Sequence, residues 1–220
     1  QTDTSLVLMA EALRRGSRVF FYTPQMISWH QGRITALGYE IFFDAAGALT
    51  PKTTDLLDLA TMDIVWIRQN PPFNINYISP TYLLDTLPPH VWILNNPQGL
   101  RDCPEKHFPL SFPDLIPPTL VTQHLDTALA FLEEHHDLVL KPLYEFAGRG
   151  VVRAQSPTEL RTAWHQHAQK TPGESLLLQK FLPQVYEGDR RLFLINGQYV
   201  GGFNKRPAPQ EFRSNLGLGG

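Results

Sequence analysis

Two apolar runs joined by a glycine-bearing turn contain residue types that could bind phosphate. Leu138–Leu140 predicts a buried strand that ends at Lys141, and Val151–Val152 begins the next strand. The turn between them contains Gly148-Arg149-Gly150, and glycine lets backbone amides approach an anion closely. A lysine that leaves the first strand can bind the same anion. The segment lacks the spacing of a P-loop or of a dinucleotide-binding glycine motif, so an ordinary exposed turn also fits it.

Other residues with reactive or metal-binding side chains favour a structural interpretation. Cys103 is the lone cysteine, and without an identifiable partner base it fits a packed or capping thiol better than a nucleophile. The pairs His135-His136 and His165-x-His167 do not share a helical face, and no third ligand is apparent. The sequence therefore predicts no metal site from its histidines.

Composition and charge narrow the classes of protein. The chain has 220 residues, 42 % of them hydrophobic, which predicts a packed core rather than disorder. The formal net charge of −2 argues against a nucleic-acid or membrane-surface partner. A single cysteine fits a reducing compartment, and no apolar run approaches the roughly 18 residues of a membrane-spanning helix. We therefore expect a cytoplasmic α/β protein.

The elements that must position these groups divide the chain near a proline-rich stretch. Helical patterns alternate with short apolar strands such as Asp63–Arg68 and Val91–Leu94, which predicts a mostly parallel sheet up to about residue 97. Arg68 would then lie at the carboxyl end of a strand, where ligands bind in such sheets. Trp66 and Trp92, inside these strands, are expected in the core. Pro113–Pro118 marks the boundary between domains 1–112 and 113–220.

The second domain has stronger local signals. Ser156-Pro-Thr-Glu159 is a helix-capping signature, and Asn196-Gly197 between two apolar runs predicts a β-hairpin. The predicted elements are a strand at Leu120–Thr122, a helix at Asp126–His135, the strand ending at Lys141, a helix from Ser156 to about Ala168, a strand at Leu176–Phe181, and hairpin strands at Arg190–Ile195 and Gln198–Phe203.

Six separated motifs, in this order, resemble those of the ATP-grasp ligases, and more closely those of the bacterial glutathione synthetase family. They span almost the whole chain. The motifs are Arg68-x-x-Pro-Pro-Phe73, Asn96-Pro-x-x-Leu-Arg-Asp-Cys-x-Glu-Lys106, Leu140-Lys-Pro-Leu143, Gln179-x-x-Leu-Pro183, Gly188-Asp-x-Arg191 and Arg213-x-Asn-Leu-x-x-Gly-Gly220.

The resemblance implies a mixed α/β (α+β) architecture: an amino-terminal, mostly parallel substrate domain, followed by an ATP-grasp domain that is incomplete at its carboxyl end. It also implies residue roles. Nucleotide binding would fall to Lys106, Lys141, Gly148, Arg149, Gly150, Gln179, Lys180, Phe181, Leu182 and Asp189. In that set Phe181 and Leu182 would pack on adenine and Asp189 would face the ribose or nearby substrate. Catalysis would fall to Arg191, Arg213 and Asn215, and substrate binding to Arg68.

The implied reaction is the ATP-dependent joining of γ-glutamylcysteine and glycine through an acyl phosphate, with Mg²⁺, or alternatively Mn²⁺, as the metal. Positioned Arg and Lys side chains would stabilise the charge that builds on phosphoryl and acyl oxygens. The partners would be these small molecules, and a homo-oligomer stays open. Two alternatives also stay open: an ATP-grasp ligase with another acceptor, and an ATP-binding protein that has lost catalysis.

Some positions depart from the family pattern. Glu145 adds negative charge to a phosphate loop that is usually richer in glycine, and Asn70 and Asn74 stand where acidic residues are expected. The resemblance places the metal ligands, acidic residues and an asparagine, beyond Gly220, and a first strand before Gln1. We therefore expect elements of the family fold to be missing at both ends.

Overall fold

The computed structural model describes residues 3–209 and 211–214. Its contacts divide the chain into an amino-terminal unit, Gln1–Pro104, and a carboxyl-terminal unit, Glu105–Gly220. This division falls before the boundary predicted at residue 112. Over the described residues, no helix is both long and apolar enough to cross a membrane.

The amino-terminal unit combines an antiparallel sheet with one parallel strand pair. In this sheet β1 pairs with residues 39–41 of β3, β2 pairs with residues 33–36 of β3, and β4 pairs along most of β3. Strands β5 and β6 form the parallel pair. The elements are α1 (Thr4–Arg14), β1 (Val19–Phe21), β2 (Ile27–His30), β3 (Arg33–Phe43), β4 (Leu49–Asp58), β5 (Ile64–Trp66), α2 (Ile75–Leu84), β6 (Trp92–Leu94) and α3 (Pro97–Asp102).

The prediction of a mostly parallel sheet in this unit was wrong, because among the described pairings only β5 and β6 run parallel. Gln31 and Gly32 both have positive φ, 46° and 83°, so they reverse the chain between β2 and β3. A tight turn at Asp44, whose carboxylate accepts from the Ala46 and Ala48 amides, joins β3 to β4. Short turns of this kind can join only antiparallel neighbours.

The expected core positions of Trp66 and Trp92 are also corrected. Their side chains are 48 % and 64 % exposed, on the same face of the β5–β6 pair as Ile64. The opposite face carries Val65, which is 4 % exposed and packs in the core of this unit. Apolar strand composition alone therefore did not reveal which face of the pair is covered.

The carboxyl-terminal unit contains an antiparallel sheet of order β7-β10-β8-β9 and a separate hairpin, β11–β12. Its strands are β7 (Thr119–Thr122), β8 (Leu138–Pro142), β9 (Val152–Ala154), β10 (Leu176–Lys180), β11 (Asp189–Ile195) and β12 (Gln198–Lys205), and its helices are α4 (Leu125–His135) and α5 (Pro157–Lys170).

The sequence signals in this unit are confirmed. The Ser156 side chain accepts from the Glu159 amide to cap α5. Asn196 and Gly197 have φ of 50° and 76°, as a type I′ hairpin turn requires. Helices α4 and α5 supply Leu132 and Leu160 to a core that they share with one face of the sheet. The other face of the sheet carries Lys141 and Gln179 together with the apolar side chains of Val139 and Leu177.

Candidate functional site

Alternation along β8 and β10 separates the face that packs in the core from the face that carries Lys141 and Gln179. Leu138 and Leu140 pack in the core of the unit, so Lys141 projects from the opposite face. Lys141 pairs in register with Leu177 of β10, and Gln179 follows two residues later on the same face. Two residues distant in sequence are thus brought side by side.

A hydrogen-bonded chain fixes the Lys141 ammonium. Its Nζ donates to Gln179 Oε1 at 2.5 Å, and Gln179 Nε2 donates to Thr119 Oγ1 at 2.9 Å. Thr119 opens β7, which pairs with the other edge of β10. Sequence reasoning missed Thr119, because only the strand register shows that it lies beside Gln179.

Lys106 reaches the same region from outside the sheet. It lies in a turn after α3, because α3 ends at Asp102, before Pro104. Its Nζ donates to the backbone carbonyl of Glu145 in the loop between β8 and β9. Lys106 and Lys141 both line one cavity of about 250 Å³. The other lining residues are Glu105, Pro109, Leu110, Ile116, Leu177 and Gln179.

The charges around this cavity favour an anionic ligand. Burial lowers the pKa of Lys141, and the positive charge of Lys106 lowers it further. Glu105 opposes this shift from the cavity rim, where its carboxylate lies 3.9 Å from Lys106 Nζ. An anion between the two ammonium groups would offset both their desolvation and their repulsion. The donor set, two lysines beside apolar walls, fits the polyphosphate and base of a nucleotide.

The loop between β8 and β9 carries the predicted phosphate glycines. Ala147, Gly148 and Gly150 have φ of 54°, 76° and 67°, all in the left-handed region. A Cβ on Gly150 would lie 2.8 Å from Pro142 Cγ, so this position has room only for glycine. The Arg149 guanidinium lies 4.5 Å from the centroid of the Phe146 ring. Since Lys106 binds the Glu145 carbonyl, the loop is tied to the cavity at its amino-terminal half.

The segment after β10 contains one covered and one exposed apolar side chain. The Phe181 ring is 5 % exposed and contacts Tyr186 and Phe212, whereas Leu182 is 46 % exposed. Leu182 is therefore the more accessible of the two side chains that were predicted to pack on adenine. The Lys180 and Phe181 amides donate to the carbonyls of Pro118 and Asp137.

Asp189 is engaged by a lysine that sequence reasoning missed. The carboxylate accepts from Ser214 Oγ at 3.1 Å and lies 2.8 Å from Nζ of Lys205, which is 5 % exposed. These bonds, that from Lys205 foremost, lower the pKa of Asp189. The hairpin itself was predicted, but a regular register counted outward from the Asn196-Gly197 turn would pair Asp189 with Asn204. A register shift between Phe193 and Leu194 moves the pairing to Lys205.

Arg213 is brought to the phosphate loop. Its Nη1 donates to the Gly148 carbonyl at 3.3 Å, and its Nη2 donates to Glu211 Oε2 at 2.7 Å. The hydrogen bonds from Arg213 hold the pKa of Glu211 at about 2, so this carboxylate is ionised at neutral pH. Glu211, like Thr119 and Lys205, was missed by sequence reasoning, and its position two residues before Arg213 gave no distinctive signal.

The remaining predicted site residues that the structure describes do not line this cavity. Arg191 is exposed on β11, and Arg149 is exposed in the loop. Arg68 is exposed after β5 in the amino-terminal unit. Asn215 lies outside the described residues. Within the ranges that the structure describes, no three His, Cys, Asp or Glu side chains form a group that could hold a metal ion.

Comparison with known protein families gives matches over both units. A family model described as the ATP-grasp domain of prokaryotic glutathione synthetase matches residues 105–220, and one described as its N-terminal domain matches residues 1–101. A glutathione synthetase of Agrobacterium fabrum is 35 % identical over 220 residues, which cover 99 % of this chain and 69 % of that protein. One of Mesorhizobium japonicum is 36 % identical over 222 residues, covering 99 % and 70 %.

Solved structures with low sequence identity share the fold. The ATP-grasp ligase PsnB complexed with minimal precursor has a TM-score of 0.59 at 18 % identity, over 96 % of this chain and 70 % of that chain. D-cycloserine synthetase DcsG also has a TM-score of 0.59, at 17 % identity, over 74 % of this chain and 60 % of that chain. At these identities the likeness concerns the fold alone, and the predicted ATP-grasp architecture is confirmed.

Proposed function

We propose that the protein joins γ-glutamylcysteine to glycine and converts ATP to ADP and phosphate, because this chain belongs to the prokaryotic glutathione synthetase family. The observation that carries the proposal is the convergence of Lys106 and Lys141 on one cavity of the ATP-grasp unit. The two lysines come from separate motifs, and their shared position supports binding of a single polyphosphate. Leu182 and the main chain of residues 180–182 would receive the base.

The two lysines would bind the phosphates in different ways. Lys141 is half-buried and oriented by Gln179, so it would supply a fixed charge. Lys106 also binds the Glu145 carbonyl, and it would therefore couple phosphate binding to the position of the loop. Closure of that loop, with Gly148, Arg149 and Gly150, would exclude water from a reactive acyl phosphate.

Cationic side chains near the loop would stabilise the transferred group. In the proposed reaction the γ-glutamylcysteine carboxylate attacks the terminal phosphorus of ATP, ADP leaves, and the amine of glycine then displaces phosphate from the acyl phosphate. Arg213 is already oriented by Glu211 beside Gly148. We assign Arg213, with Arg191 and Asn215, to the charge that develops on phosphoryl and acyl oxygens. Arg68 would bind the peptide substrate.

Mg²⁺, with Mn²⁺ as the alternative, is the metal we propose, because a divalent ion neutralises phosphate oxygens when it is bound with a nucleotide. The family resemblance assigns its ligands to positions beyond Gly220. The cytoplasm is the compartment we propose, since a thiol substrate and a chain with one cysteine both suit reducing conditions.

The proposal is tested by measuring phosphate release from the full-length gene product with ATP, Mg²⁺ and γ-glutamylcysteine. We expect release to depend on added glycine, with glutathione identified by mass spectrometry as the product. L-alanine in place of glycine is the matched control, because it differs only by one methyl group on the carbon next to the reacting amine.

Each other outcome changes a different part of the proposal. Release that requires an amine other than glycine would retain an ATP-grasp ligase and replace the acceptor. ATP binding without release under any acceptor would identify a nucleotide-binding protein without ligase activity. Absence of ATP binding would overturn the proposed role of the lysine-lined cavity.

A further inference from the structure

Arg153 and Asp137 form a two-pronged ion pair beside the nucleotide-binding strands. Arg153 Nε donates to Asp137 Oδ1 at 2.8 Å, and its Nη2 donates to Oδ2 at 2.6 Å. Gln155 Nε2 also donates to Oδ2, at 3.2 Å. Arg153 lies on β9 and Asp137 directly precedes β8, so strand pairing fixes both backbones. This geometry holds the guanidinium plane in one orientation.

The oriented guanidinium covers the Phe181 ring. The Arg153 Cζ atom lies 3.8 Å from the ring centroid, within the range of a strong cation–π contact. Asp137 also acts on the Phe181 backbone, because its carbonyl accepts from the Phe181 amide at 2.9 Å. Phe181 is therefore held by both residues of the ion pair, at its ring by the Arg153 guanidinium and at its amide by the backbone carbonyl of Asp137.

We propose that Arg153, held by Asp137, is a positioning residue that fixes the main chain of residues 180–182 and thereby makes the site select adenine over guanine. This inference rests on the proposed function, in which that main chain receives the base. Adenine presents an N6 donor and an N1 acceptor, whereas guanine presents an O6 acceptor and an N1 donor. The Lys180 and Phe181 amides already donate to Pro118 and Asp137, so the Leu182 amide and a neighbouring carbonyl would distinguish these patterns, because the wrong base leaves polar groups unpaired.

A change of Arg153 to Lys tests the proposal while retaining the positive charge. Lysine has no planar guanidinium to cover the ring or to bind both carboxylate oxygens. We expect Arg153→Lys to weaken ATP binding about tenfold and GTP binding less, so that the ratio of the two affinities falls. Binding of inorganic tripolyphosphate should not change, because it depends on Lys106 and Lys141 and not on the base.

Controls separate positioning from general damage to the fold. Arg33→Lys is the matched variant, since Arg33 also pairs with an aspartate, Asp58, at 2.9 Å, but in the amino-terminal unit. This variant should leave the affinities for ATP, GTP and tripolyphosphate unchanged. Asp137→Asn retains the carbonyl that accepts from Phe181 but loses the charge that orients Arg153. We expect it to lower the ATP-to-GTP ratio in the same direction, which provides a second test if Arg153→Lys folds poorly.

The outcomes distinguish this inference from the proposed function. Equal losses for ATP, GTP and tripolyphosphate, or an unchanged ATP-to-GTP ratio in both variants, would overturn the positioning role while ATP binding by the unaltered protein still supported the function. If the unaltered protein did not bind ATP, the proposed function would fail and this inference with it.

Discussion

At the residue scale, Lys141 is the side chain whose removal should weaken nucleotide binding most directly. It is half-buried, oriented by Gln179, and placed at the cavity that Lys106 also lines. We expect Lys141→Ala to weaken ATP binding by about 1.5–3 kcal/mol, the range for a hydrogen bond between charged groups. Isothermal titration calorimetry measures this directly. Lys170→Ala, at the exposed end of α5, is the control, and equal affinities for the two variants would contradict the role of Lys141.

The lowered pKa of Lys141 also predicts how ATP affinity depends on pH. Burial and the charge of Lys106 favour the neutral amine, so Lys141 loses its proton at a lower pH than an ordinary lysine. The protonated form binds phosphate, and ATP affinity should therefore fall as pH rises through this lowered pKa. Titrations that extend upward from neutral pH should show the fall at a lower pH than for an ordinary lysine, and Lys141→Arg, which stays charged, should flatten it. An equal fall in that variant would assign the titration to another group.

At the scale of elements, the loop between β8 and β9 depends on Gly150 for two separable reasons. Its φ of 67° costs an alanine about 1–2 kcal/mol, and a Cβ there would also lie 2.8 Å from Pro142 Cγ. We expect Gly150→Ala to lower the melting temperature and to weaken ATP binding. Gly173→Ala is the matched control, because Gly173 has φ of 80° in the same unit and open space around its Cβ position.

The comparison of the two glycine variants isolates the contact with Pro142. Overpacking adds about 1–3 kcal/mol to the backbone strain that both variants share. Gly150→Ala should therefore melt below Gly173→Ala, and only Gly150→Ala should alter ATP affinity. If the two variants matched in both respects, the close approach of Gly150 to Pro142 would have no consequence for the loop.

Elements with strong local signals were predictable, whereas pairings set by tertiary structure were not. The Asn196-Gly197 turn and the Ser156 cap are confirmed, because their residue types fix the backbone locally. Strand β4 was not predicted, since its polar run Pro51–Asp55 lacks the composition of a buried strand.

Part of the candidate site was predictable from motif order, and part required coordinates. Lys106 and Lys141 were predicted to act together, and the structure places both at one cavity. The partners Thr119 and Lys205 were missed, because a strand register and a one-residue register shift determine which groups face each other. The covered ring of Phe181 could not be foreseen either, since its contacts come from β9 and from residues near 186 and 212.

At the scale of the whole molecule, the two units should respond to different ligands. The lysine-lined cavity belongs wholly to the carboxyl-terminal unit, and Arg68 belongs to the amino-terminal unit. ATP at a concentration 100 times its Kd stabilises the state that binds it by about 2.7 kcal/mol. Hydrogen exchange followed by mass spectrometry, with ATP and Mg²⁺ added to the full-length gene product, should show protection in β8, β10 and the loop between β8 and β9. γ-Glutamylcysteine alone should protect the segment after β5 instead. Because opening free energies differ between cooperative units, protection by ATP that was equally strong in β1–β4 would contradict a nucleotide site confined to one unit.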